Sequence, residues 1–261
     1  MQQDMVPIVD THCHAGKNWY EPIESLLHQM DTNGVDKAVL IQHRGSFDNS
    51  YLFECASRFR GRFAVIALVD SSQSDALDRI SEIARNGATG IRLTPKEPLS
   101  LWEKAEQLNL VVSCQGNIKE FSSEEFREKI AHLSNLKIVI EHLAGADGHE
   151  LAPYPQFSKA LRLSELPNTY IKIPGLGEFS QKQPVLGSNF GFDTIPPFIE
   201  MTTQAFGPSR MMWGSDFPPV SSREGYRNAK NAIETHPVLK FDRNREWIMG
   251  KAAIGVFNFD P

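Results

Sequence analysis

Short apolar runs recur along the chain, each followed by a polar loop and then by an amphipathic stretch. The runs are Ile8–Val9, Ala38–Ile41, Phe63–Val69, Gly90–Leu93, Leu110–Val112, Ile138–Ile140, Tyr170–Ile173 and Met211–Trp213. Rich in Val, Ile and Leu, they predict strands buried on both faces. Between them, Pro22–Asn33 carries Ile23, Leu26, Leu27 and Met30 at helical spacing and stops at Asn33-Gly34. Ser74–Asn86 carries Leu77, Ile80 and Ile83 and stops at Asn86-Gly87. Ser122–Leu133 opens on a capping box of Ser122 with Glu125, and Tyr154–Leu166 and Ile195–Phe206 follow the same helical logic.

Strict strand-then-helix alternation predicts an α/β fold, a single (β/α)8 TIM barrel over residues 1–261. A doubly wound open sheet is the structural alternative. A nucleotide-binding version would carry a glycine loop after the first strand, where this chain reads His12-Cys13-His14. The irregular segment Pro174–Thr194 reads either as a lid over the active end or as an ordinary surface loop.

Composition narrows the function classes. With 27 basic against 32 acidic residues and a net charge of −5, no basic footprint for nucleic acid is present. The apolar run Phe63–Val69 is far too short to span a bilayer, and Met1–Pro7 lacks the basic-then-apolar pattern of a leader. Cys13, Cys55 and Cys114 are odd in number and scattered, which argues against a disulfide framework and for a reducing cytoplasm. A homo-oligomer is left open.

The chemistry-bearing residues gather at strand ends. In Asp10-Thr11-His12-Cys13-His14 the two histidines, two apart in a strand, share a face, with Asp10 expected one step deeper on that face. A lone His-x-His is weak, because surface pairs are common. Other strand ends add Gln42-His43-Arg44, Arg92, Cys114-Gln115, Glu141-His142, Lys172 and Gly214-Ser215-Asp216. A barrel brings all of these to one mouth, and that coincidence outweighs any single motif.

The stretches Ile8–His14, Gly90-Ile91-Arg92, Ile140–Gly145 and Arg210–Pro218 resemble the amidohydrolase superfamily, in the branch of small lactonases and non-oxidative decarboxylases. Tyr170–Leu176 and the Trp213-Gly214-Ser215-Asp216 ending are most similar to the 2-pyrone-4,6-dicarboxylate lactonase and L-fuconolactonase group. The resemblance implies catalytic roles for His12, His14, His142 and Asp216, with Asp216 binding metal or activating water. Metal-binding members commonly supply a further histidine from strand five, where this chain reads Ser113-Cys114-Gln115. A divalent ion, zinc or manganese, is therefore optional, with His12, His14 and Asp216 as its three ligands.

Lactone hydrolysis needs an activated water, a polarised carbonyl and a stabilised oxyanion. Asp216 is the candidate base. The histidines, or an ion, would polarise the carbonyl. Arg92 and Arg44 are candidate forks for a substrate carboxylate, with Lys172 and Gln115 as further contacts. For Arg44 a surface salt bridge is an equal reading, and Lys172 points either into the barrel or outward under a helix. A metal-dependent decarboxylase or amide hydrolase, and a degenerate barrel that only binds a small anion, are the alternatives.

Overall fold

The computed structural model describes residues 6–180 and 195–259, so most of the Pro174–Thr194 segment lies outside the described residues. Its eight strands are parallel and ordered β1 to β8. They are β1 Val9–Cys13, β2 Lys37–Ile41, β3 Phe63–Ala67, β4 Gly90–Leu93, β5 Val111–Cys114, β6 Ile138–Ile140, β7 Thr169–Ile173 and β8 Met211–Trp213. Beyond β8 the chain closes against β1. Thr11 Oγ1 donates to Trp213 O at 2.7 Å, Asp216 N donates to His12 O at 2.9 Å and His14 N donates to Phe217 O at 2.8 Å.

A principal helix follows each strand: α1 Ile23–Thr32, α2 Ser50–Arg58, α3 Ala76–Arg85, α4 Leu99–Gln107, α5 Glu124–Ala131, α6 Pro155–Leu161, α7 Phe198–Phe206 and α8 Tyr226–Glu234. Each lays an apolar stripe on the barrel, as α3 does with Ala76, Ile80 and Ile83. No helix among the described residues is long and apolar enough to cross a membrane.

The expected capping box at Ser122 is corrected. Ser122 still belongs to the preceding turn, its N–H donating to Ile118 O at 2.9 Å, so it lacks the extended backbone of a cap. Ser123 has that backbone and caps α5, accepting from Phe126 N. The reciprocal box is one turn earlier, between Asn117 and Glu120.

Alternation sorts each strand into two faces. Ala38, Leu40, Phe63, Val65, Ile91, Val112, Ile138, Ile171 and Trp213 pack outward against the helices. Val9, Val39, Ile41, Ala64, Ile66, Val111, Val139 and Met212 fill the interior together with Ala252, Ala253, Val256, Phe257 and Phe259. That last segment seals the N-terminal end of the barrel, where Thr89 Oγ1 donates to Asn258 O and Lys137 Nζ to Gly255 O. The interior is thus apolar below. Its upper layer is Arg92, Ser113, Glu141 and Lys172, with His12 and His14 above, all buried.

Candidate active site

A bulge in β1 aims the two histidines. Asp10 pairs with Ala38 and Cys13 with Leu40, so β1 takes three steps where β2 takes two. The bulge changes the parity expected for Asp10. It lies level with outward-facing Ala38, fully buried, where Oδ1 accepts from Ser215 N at 2.8 Å and His12 N at 3.2 Å. Asp10 therefore pins the β1 and β8 ends from outside the site. Gly214 is required where these ends meet, because a Cβ there would lie 2.7 Å from His12 Cβ.

His14 Nδ1 lies 2.7 Å from Ile41 O, so that nitrogen carries the proton and Nε2 turns into the site. Tyr20, held at φ 67°, stacks on the His14 ring at 5.2 Å and 18° and meets His43 edge-on at 5.4 Å. Asp216 Oδ1 is 3.6 Å from His14 Nε2 and 3.9 Å from His12 Nε2, and its Oδ2 accepts from Arg223 Nη2 at 3.1 Å. Asp216 is itself at φ 61°.

His142 opens a left-handed run with φ 49°, 49°, 58° and 63° through Leu143, Ala144 and Gly145. That run swings its ring over the mouth, with Nε2 3.4 Å from His12 Nε2 and Nδ1 2.8 Å from Glu178 Oε2. The carboxylate of Glu178 also faces Arg223 Nη1 at 3.8 Å.

Electrostatics separate the roles. Burial pushes the Asp216 carboxyl up, but His14, His142 and Arg223 together outweigh it and hold the group below the ordinary range, as an anion. Burial lowers His12 well below the usual imidazole value, and the charges of Lys172, His142 and His14 add to it. For His142 burial also pulls down, yet Glu178, Asp216 and Glu141 prevail and raise it.

Beneath the histidines, Arg92 donates to Glu141 through Nε at 3.1 Å and Nη2 at 2.7 Å, and through Nη1 to Gln42 O at 3.2 Å. Its fork is thus engaged by the protein, unlike the open carboxylate-binding fork expected from the sequence. Ser113 Oγ donates to Glu141 Oε1 at 2.7 Å and accepts from Lys172 Nζ at 3.1 Å. Lys172 points into the barrel, which decides its orientation. Burial brings it down to about 8 against the upward pull of Glu141.

The geometry brings His12, His14, His142, Asp216 and Lys172 together. Arg44 is exposed on the loop after β2, with Glu120 within its field, and stands apart from the cluster. Gln115 is half-buried past β5, and its side chain makes no hydrogen bond among the described residues. Cys114 faces outward into the helix layer. Sequence reasoning gave no role to Glu141, Glu178 or Arg223. Strand parity from Arg92 through Lys172 carried a signal for Glu141. Glu178 and Arg223 sit on irregular loops without one.

His12 Nε2, His14 Nε2 and Asp216 Oδ1 form a donor group within 4.8 Å, as ligands of one ion would. His14 suits that role, since Ile41 O holds its other nitrogen. His12 does not, because its Nδ1 lies 3.4 Å from the Lys172 ammonium. Past Ser113, β5 offers no imidazole, and Arg223 already occupies Asp216 Oδ2. With His12 and Asp216 so engaged, this group of three does not fit a tightly held divalent ion.

The family described as Amidohydrolase matches residues 9–259. An L-fucono-1,5-lactonase from Burkholderia ambifaria is 27% identical over 209 residues, 74% of this chain and 68% of that protein. A solved structure from Pseudomonas putida, described as a candidate 2-pyrone-4,6-dicarboxylic acid hydrolase, superposes with a TM-score of 0.78 at 21% identity, covering 98% of this chain and 99% of its own. An amidohydrolase from Burkholderia multivorans with bound zinc gives 0.79 at 17% identity, covering 96% and 98%.

Proposed function

Because this chain belongs to the amidohydrolase family, and is on that ground a hydrolase, we propose that it opens a small lactone by attack of a water that Asp216 activates. The observation that carries this reading is the position of Asp216 Oδ1, 3.6 Å from His14 Nε2 and 3.9 Å from His12 Nε2. These separations are too long for good direct hydrogen bonds and leave a water within reach of both acceptors, Asp216 and His14. Asp216 takes one proton as the water oxygen bonds to the carbonyl carbon. His12 faces the oxygen that gains the charge. Collapse breaks the ring C–O bond, and the proton passes from Asp216 to the alkoxide, leaving a hydroxy acid.

A substrate carboxylate would be read at the rim by Arg44 and Gln115, since Arg92 is engaged by Glu141. Lys172 contributes charge from below. A panel of neutral and carboxylated lactones, assayed with and without chelator, tests the reaction class. On the substrate it identifies, Asp216→Asn should lower kcat by roughly 10²–10⁴-fold with the fold intact. Full activity of that variant would remove Asp216 as the base.

A further inference from the structure

His12 has two ring nitrogens, and each faces a group whose own hydrogen bonding is already committed. On the lower side the order of donors begins at Glu141. Its carboxyl is held down to about 2, where Arg92 and Lys172 overcome the upward push of burial, so it accepts only. Ser113 Oγ therefore spends its one proton on Glu141 Oε1 at 2.7 Å and must accept from Lys172 Nζ at 3.1 Å. Lys172 carries three donors and no acceptor. A second of these lies 3.4 Å from His12 Nδ1, which can only accept from it.

The upper side gives the same answer independently. His142 Nδ1 lies 2.8 Å from the Glu178 carboxylate and must donate to it. In the neutral ring, Nε2 of His142 is then a lone pair, and it faces His12 Nε2 at 3.4 Å. A contact between those two nitrogens requires a proton on His12. The donors run in one direction, from Lys172 to His12 to His142 to Glu178.

We propose that Lys172, held by Ser113 and Glu141, is a positioning residue that fixes His12 as the Nε2–H tautomer, making it a hydrogen-bond donor to the substrate carbonyl instead of a ligand for a divalent ion. The catalytic meaning rests on the lactonase reading, whereas the tautomer itself does not. His12 and His14 thus divide the work within one motif. His14, with Nδ1–H on Ile41 O, presents an acceptor, and His12 presents a donor.

Long-range 1H–15N correlation on ¹⁵N-histidine-labelled protein reads the tautomer of each ring without turnover, and His12→Asn identifies the resonance. The expected result is His12 as Nε2–H, unchanged by one equivalent of zinc. An Nδ1–H ring, or a zinc-induced shift of His12 Nε2, overturns the proposal. In Lys172→Met the ring should sample both tautomers, and zinc affinity, read by competition with a chromophoric chelator, should rise about tenfold or more. Unchanged affinity in a folded variant overturns the assigned role. If that variant does not fold, the wild-type tautomer decides alone. Failure of any of these leaves the Asp216→Asn assay standing as a separate test of the lactonase reading.

Discussion

Glu178 Oε2 accepts from His142 Nδ1 at 2.8 Å, joining the loop after β7 to the turn after β6 directly over the mouth of the barrel. The carboxylate both orients the ring and favours its charged form. Three carboxylates, Asp216, Glu178 and Glu224, lie around the single guanidinium of Arg223 at 3.1, 3.8 and 3.6 Å. The same carboxylate that holds the His142 ring also raises its pKa, so its position and that upward shift have one cause.

Replacing that carboxylate by its amide separates the two effects. Glu178→Gln keeps an acceptor for Nδ1–H but removes the charge. The His142 titration midpoint, followed by the NMR shift of its ring protons, should fall relative to wild type. Activity should drop about tenfold. An unmoved midpoint would show that Glu178 does not set the charge of His142.

The Arg92–Glu141 pair predicts a pH dependence of stability. Glu141 titrates at about 2 in the fold against an ordinary 4.5. Its folded pKa is depressed, so its stabilisation is complete above the ordinary value and is lost as pH falls from about 5 toward about 2. Urea unfolding across that range should show the loss. Glu141→Gln should flatten it and cost roughly 3–5 kcal/mol at neutral pH, by stranding the buried Arg92.

Tyr20→Ala strips the ring that stacks on His14 at 5.2 Å. The backbone at this position is left-handed with either side chain, and the residue is 39% exposed, so thermal stability should barely move. Meanwhile kcat/KM should fall roughly two- to tenfold, the range set by one aromatic contact. Equal losses in melting temperature and activity would mean that the ring is a packing element.

Restoring a β5 histidine tests parity. Cys114→His enters the outward apolar layer, so it should destabilise by about 1–3 kcal/mol and bring no zinc. Thermal melting and metal analysis check both halves. A gain of stoichiometric zinc would place position 114 in the site after all.

Much of the barrel was legible because burial on both faces leaves a plain signal. The apolar runs fall on the eight strands, and glycine stops mark Gly34 and Gly87. Helices α2, α4 and α8 are not legible in the sequence, since a stretch such as Tyr226–Glu234 spreads its apolar stripe thinly over Tyr226, Ala229 and Ile233 among polar residues. At the site, His12, His14, His142 and Asp216 were readable from strand ends. The inward turn of Lys172 was not, since nothing local separates a barrel-filling lysine from one that snorkels outward. Asp10 was misplaced by a bulge that only its pairing with Ala38 reveals. The engagement of Arg92 depends on Glu141, 49 residues away in sequence.

The left-handed run from His142 to Gly145 sets a limit on how this enzyme can be hardened. Only Gly145 adopts that backbone freely, and a Cβ there would meet Asn117 Cα at 2.9 Å. His142, Leu143 and Ala144 each carry a penalty on the order of 1–2 kcal/mol. A screen for heat resistance would therefore favour glycine at Ala144, where only one methyl is lost, relaxing the turn that holds the His142 ring beside Glu178, whereas the fully buried Leu143 would lose more packing than the strain it relieves. Thermal robustness and turnover are opposed within these four consecutive residues, and a stabilised descendant would have to find its gains in the helical shell.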